Sequence, residues 1–176
     1  MNEGNPPGAP ICPLTTTEGT TMDATSSGNQ IWFLNTLMTI CRSSAAAPDG
    51  VSIIEFRAPY GDAPPTHLHH DDDEIFHLIE GRMRFRVGDE EFVLEAGHTV
   101  VAPKGVPHAF RVESREGAHG LNIMAGPNFE NFVRAVGRPA ETAAMPVPAA
   151  PTPALLARLR EAAAAHHMAL VGPPLA

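Results

Sequence analysis

Residues 64–89 read PPTHLHHDDDEIFHLIEGRMRFRVGD, and this stretch decides the fold. In its second half Met83, Phe85 and Val87 point one way and Arg82, Arg84 and Arg86 the other, the period of two that marks a half-buried strand. The arginine side reads as a solvated face paired with carboxylates. Gly88-Asp89 then signals a hairpin turn into the run 91–94. In the first half, His67 and His69 flank Leu68, so an extended backbone aims both imidazoles to one side, about 6.6 Å apart. Glu74 opens the next run, with Glu74, Phe76 and Leu78 on one face.

Outward from this stretch the same pattern repeats. Short β-like runs at 31–40, 51–58, 75–79, 83–87, 91–94, 99–102, 108–113 and 120–125 are separated by turn residues, which predicts an all-β sandwich or barrel. The turn Ala102-Pro103-Lys104-Gly105 and the stiff Pro107 aim His108 along a strand whose face it shares with Phe110 and Val112. His67, His69, Glu74 and His108 therefore form a candidate metal site, with three imidazoles and one carboxylate for a divalent transition metal. Iron, manganese, nickel, cobalt, copper and zinc all accept such ligands. Six of the nine histidines fall between 67 and 108, and a solvated acidic loop at HLHHDDDE does not account for ligands arriving from two separate segments. His70, His77 and His98 read as surface or supporting residues, because alternation or adjacency turns them away from the ligand face.

The flanks differ in composition. Residues 1–30 are rich in Pro, Gly, Thr and Ser and read as a flexible arm, within which Met22 is a second possible start. Residues 31–136 hold the barrel and a short helix over 128–136, and the core is expected to end before that helix. Residues 137–176 form a Pro/Ala linker and a C-terminal helix, with Thr152 as N-cap and Pro153 at the first helical position. Leu155, Leu156, Leu159, Ala163 and His166 make its apolar stripe, and Gly172 and Pro173 are expected to stop it. His166 and His167 diverge on a helix and read as surface residues.

With 176 residues, one domain is expected, and 18 prolines argue against long helices. A net charge of -8 with one lysine leaves no basic surface for nucleic acid or an anionic membrane. No stretch approaches the roughly 18 apolar residues of a membrane span, and the first 28 residues lack a signal-peptide pattern, so a soluble cytoplasmic protein is expected. Cys12 and Cys41 read as two free thiols.

The motif spacing carries a resemblance. Gly61, five residues, His67-Leu68-His69, four residues, Glu74, six residues and Gly81 match the first motif of the cupin superfamily. Gly97, five residues, Pro103-Lys104-Gly105, two residues and His108 match the second, with Val112 where that motif often has Asn. The resemblance implies a double-stranded β-helix, or jelly-roll, barrel that is usually dimeric and holds its metal inside. The longer segments, together with FENFVRAVG and the terminal VGPPL, resemble single-domain cupins of the quercetin 2,3-dioxygenase-like kind.

Phe76, Leu78, Met83, Phe85 and Phe110 share the ligand-bearing faces and are the expected substrate pocket, which suits an apolar or aromatic small molecule. The arginines at 82, 84, 86 and 111 face away, which disfavours a sugar phosphate. The leading expectation is a metal-dependent dioxygenase acting on an enol-type small molecule. The resemblance makes Glu74 its catalytic base as well as a ligand, with burial raising its pKa. A non-redox isomerase or lyase and a non-catalytic binding protein are the alternatives.

Overall fold

The computed structural model describes residues 14–15, 21–22, 28–46 and 50–176. Its strands begin with β1 (Leu14–Thr15), β2 (Thr21–Met22), β3 (Gln30–Phe33), β4 (Thr36–Arg42), β5 (Val51–Ala58), β6 (Pro65–His69) and β7 (Glu74–Glu80). They continue with β8 (Arg82–Val87), β9 (Glu90–Glu95), β10 (Thr99–Ala102), β11 (His108–Val112), β12 (Ala118–Ala125), β13 (Arg138–Pro139) and β14 (Met168–Pro174). Helices α1 (Asn128–Val136) and α2 (Pro153–Ala165) lie near the C-terminus. Strands β1 and β2 pair with each other; the rest of the expected arm before Gly28, Cys12 included, lies outside the described residues.

Two antiparallel sheets make the jelly roll, one in the order β10-β7-β12-β5-β4-β3-β13 and one in the order β14-β6-β11-β8-β9. Alternation explains their faces. On β8, Met83 and Phe85 are fully buried, whereas Arg82 pairs with Glu95 and Glu113, and Arg84 with Glu91 and Glu113, on the outside. Gly81, between β7 and β8, has φ +93°, and a Cβ there would sit 2.5 Å from the Gly117 carbonyl oxygen, so this turn needs glycine.

The core has two parts. Phe56, Phe76, Leu78, Met83, Phe85, Leu94 and Val112 fill the interior at one end. At the other end Ile31, Met38, Ile40, Ile54 and Met124 meet Phe129, Phe132 and Val133 of α1, Leu159 and Ala163 of α2, and Met168 of β14. The core therefore does not end before α1. Each such large apolar side chain contributes roughly 1.5–3 kcal/mol of burial, so the C-terminal third is built into the fold.

Three local expectations are corrected. The run 31–40 breaks into the hairpin β3–β4, because Leu34 takes φ +54° beside the turn-former Asn35. Helix α2 starts as expected, with Leu155 N donating to Thr152 Oγ1 at 3.2 Å, but ends at Ala165 rather than at Gly172. His167, at φ +57°, reverses the chain, and Gly172 and Pro173 fall within β14 at a sheet edge, where proline costs no ladder bond. The Pro/Ala segment between the helices is pinned, since Trp32 Nε1 donates to the Ala144 carbonyl at 2.7 Å and Ala149 N donates to Asn35 Oδ1 at 3.0 Å. Among the described residues no helix is long and apolar enough to cross a membrane.

One buried carboxylate ties α1 to the sheet. Glu130 accepts from Ser43 Oγ at 2.8 Å, Ser44 N at 3.0 Å and Arg134 Nε at 3.1 Å. Burial pushes its pKa up, but the Ser43 and Ser44 hydrogen bonds and the Arg134 guanidinium outweigh this and hold it below the usual glutamate value. A folded-state pKa below the unfolded one stabilises the fold above the unfolded pKa, and that gain is lost as pH falls through the folded value. Glu130→Gln is expected to cost about 1–3 kcal/mol at neutral pH, with the gap to wild type closing on acidification below the ordinary carboxylate range. Urea unfolding at both pH values checks this; a gap independent of pH would show that the charge is not the source.

Candidate metal centre

Three strands and one turn bring the site together. On β6, Leu68 faces out and His67 and His69 face in; β11 begins at His108, which stands directly opposite His67 in the ladder. Glu74 is the first residue of β7 in the facing sheet. All four side chains are buried, and their ligand atoms lie within 4.8 Å of one another. Glu74 Oε2 is the hub, 2.8 Å from His108 Nε2, 3.1 Å from His69 Nε2 and 3.7 Å from His67 Nε2.

The loop 70–73 that separates the two ligand segments is stapled by its own acids. Asp71 pairs with His167 at 2.6 Å, Asp72 accepts from Asn128 Nδ2 at 3.1 Å, and Asp73 accepts from Lys104 N at 2.9 Å. His70 and His98 are exposed, and His77 bonds Thr99 Oγ1 through Nδ1 at 2.9 Å, so none of the three joins the cluster. His166 caps α2 instead of extending its stripe.

The donor set fits a cation. His67 Nδ1 lies 2.9 Å from the Pro65 carbonyl and His108 Nδ1 lies 3.0 Å from the Val106 carbonyl. A carbonyl only accepts, so each Nδ1 carries a proton and Nε2 is the ring atom that faces the Glu74 oxygen. With no ion between them an Nε2 beside the carboxylate needs a proton to donate; with a cation there the same Nε2 offers it a lone pair. His67, His69, Glu74 and His108 would hold that ion, and the ligand chemistry suits several divalent transition metals.

Protons serve the same geometry. Burial pushes the His108 pKa down, but the hydrogen bond and charge of Glu74 and the Val106 carbonyl raise it above the usual histidine value. For Glu74 the expected rise is corrected. Burial does push its carboxyl up, yet the charge of His69 and the hydrogen bonds from His108, His67 and His69 hold it well below the usual range.

Asn122 is a site residue that the sequence reading missed. It lies on β12 opposite Phe76, is buried, and donates from Nδ2 to Glu74 Oε1 at 2.5 Å. The signal for it was alternation: Gly120, Asn122 and Met124 face inward together, and a polar side chain in such a row needs a partner. With Val112 at the motif position where Asn is common, the amide reaches the glutamate from another strand.

The cluster opens on a cavity of about 750 Å³. His67, Glu74 and Asn122 form part of its wall, and Phe33, Phe56, Phe76, Phe110, Phe129 and Phe132 supply the aromatic lining. Of the five residues expected to line the pocket, Phe76 and Phe110 do so. Leu78, Met83 and Phe85 do not; they are fully buried in the packed core beyond it. Alternation gives the side of a strand but not the depth along the barrel at which the cavity ends. Leu155, Leu159, Met168 and Leu170, together with Ala149–Pro151 of the Pro/Ala segment, close the other side.

Residues 54–124 match the family described as Cupin domain, and the chain carries a cupin domain with a buried three-histidine, one-glutamate cluster resembling a metal site. It is distantly similar to quercetin 2,3-dioxygenase of Bacillus subtilis, 26% identical over 119 residues, which is 68% of this chain and 35% of that protein. An uncharacterized protein of Methanocaldococcus jannaschii is 32% identical over 57 residues, 32% of this chain and 46% of its own length. The chain thus spans well under two thirds of either curated relative. Among solved structures, a predicted oxalate decarboxylase from Thermotoga maritima superposes with TM-score 0.51 at 18% identity, covering 59% of this chain and 98% of that one. The polyketide cyclase RemF from Streptomyces resistomycificus gives 0.51 at 16%, covering 60% and 80%. These likenesses concern the fold.

Proposed function

We propose that the chain is a metal-dependent dioxygenase acting on an apolar, aromatic small molecule with an enol-type oxygen. The observation that carries this reading is the placement of the buried histidine–glutamate cluster in the wall of a cavity lined by phenylalanines. The distant similarity to quercetin 2,3-dioxygenase supports it. A bound divalent metal supplies Lewis acidity and a route for electrons between substrate and dioxygen.

The protein supplies position and proton handling. The aromatic walls orient a flat ring and exclude water. Glu74 lies beside the enol end and accepts its proton at Oε1, the oxygen that faces Asn122. Asn122 then holds the carboxyl in place. The imidazoles hold this carboxyl ionised, so it starts in the form that can accept a proton.

Elemental analysis of the purified chain beside a His67→Ala, His108→Ala double variant tests the metal, and oxygen uptake with flavonols tests the reaction. Near-stoichiometric metal, lost in the variant, with oxygen consumed in step with substrate, is the expected result. Turnover without oxygen uptake would replace dioxygenase by isomerase or lyase chemistry. A metal-free wild type even after reconstitution would end the enzyme reading.

A further inference from the structure

A second carboxyl group stands in the cavity wall, away from the imidazoles. Asp62 lies in the loop between β5 and β6, and Thr36, at the start of β4, lines the cavity with it. Thr36 Oγ1 donates to Asp62 Oδ2 at 3.0 Å. The loop backbone is fixed around it, with Val112 N donating to the Asp62 carbonyl at 3.0 Å and Asp62 N to the Pro59 carbonyl at 3.1 Å. Among the described residues no cation pairs with Asp62, and no further side-chain hydrogen bond reaches it. An acid in an apolar cavity with an oxygen left over is costly unless something donates to it. Burial accordingly pushes the Asp62 carboxyl up, and the Thr36 hydrogen bond offsets only part of this.

The register sets the two ends of the cavity apart. Glu74 stands opposite Met124 on β12, while Leu37, next to Thr36, stands opposite Arg57, which in turn faces His119. From Met124 to His119 the backbone rows are about 17 Å apart along the strand. Side chains reaching inward from both rows leave room for a molecule of two or three linked rings.

We propose that Asp62, seated by Thr36, is a substrate-recognition residue at the far end of the cavity, accepting a hydrogen bond from a ring hydroxyl of an elongated aromatic molecule whose other end lies at Glu74 and His67. The assignment rests on the cavity being the substrate chamber proposed above. It adds a requirement that the metal end does not impose: the ligand carries a second, distal donor. A purely apolar ring leaves the carboxyl unpaired and is discriminated against.

Calorimetric titration of the holoprotein under anaerobic conditions tests this with two probes. Quercetin carries ring hydroxyls; 3-hydroxyflavone keeps the enol–ketone end and lacks the others. The wild type is expected to bind quercetin about tenfold to a hundredfold tighter, the range of a hydrogen bond to a charged group. Asp62→Leu is expected to bring that ratio close to one, with weaker quercetin binding and somewhat tighter 3-hydroxyflavone binding, and Asp62→Asn, which keeps an acceptor, to retain most of it. Thr36→Val reads the same ratio if Asp62→Leu does not fold, and is expected to lower it. An unaltered ratio in these variants overturns the subsite and leaves the oxygen chemistry standing. Failure of both probes to saturate the wild type also overturns it. Discrimination that depends on Asp62 without any oxygen uptake upholds the subsite and sinks the dioxygenase reading instead.

Discussion

Glu74→Gln is expected to lower turnover by about 10²–10⁴-fold, the usual worth of a positioned general base, while metal content falls far less. Glutamine keeps the length and planarity of the side chain, and its Oε1 still accepts from Asn122. What it loses is the oxygen facing His67, His69 and His108 and the ability to take a proton. Three imidazoles remain, two of them oriented by backbone carbonyls that the substitution does not touch. Metal analysis and single-turnover rates on the same preparation separate the two roles. A parallel fall in metal and rate would leave Glu74 as a ligand and remove the base assignment. Asn122→Ala is the companion: it leaves the cluster at full strength but frees Oε1, so its effect falls on rate and not on metal.

The parts of this site that share a strand were legible in the sequence, because alternation alone places His67 beside His69 and Glu74 on the face of Phe76. His108 was legible for a related reason, since the Pro-Lys-Gly turn fixes where its strand begins. Asn122 was not, because it acts across the β7–β12 ladder, and no spacing along the chain links position 122 to position 74. Depth was also hidden. Phe76 and Phe85 obey the same alternation and touch each other, with centroids 5.1 Å apart, yet only Phe76 reaches the cavity. Composition misled at the C-terminus, where Gly172 and Pro173 read as the end of a helix and instead lie in β14, which pairs with the strand that bears two of the cluster histidines.

That last pairing has the larger consequence for the site. Strand β6 meets β11 in register only at His67, but it meets β14 along its whole length, with Met168 opposite His69 and Leu170 opposite His67. Thr66 Oγ1 adds a hydrogen bond to the Pro173 carbonyl at 2.6 Å, and Arg86 in turn donates to Thr66 Oγ1 at 2.9 Å. The strand carrying two of the four cluster residues is therefore held in place chiefly by the C-terminal segment. Removing residues 168–176 strips that ladder and deletes the buried Met168 and Leu175, so their packing against the core is lost, about 3–6 kcal/mol from burial alone. At roughly 2–4 °C per kcal/mol for a chain of this size, the melting temperature is expected to fall by on the order of 10–20 °C. Metal is expected to be lost with it, because His67 and His69 no longer share a fixed backbone. Met168→Ala gives the graded case: a core cavity costing about 2–4 kcal/mol with the ladder intact, so stability drops while metal stays. If the truncated chain keeps both its melting temperature and its metal, β14 is an ornament on β6; if it keeps the fold but not the metal, the C-terminal strand acts on the site through the geometry of the histidine pair.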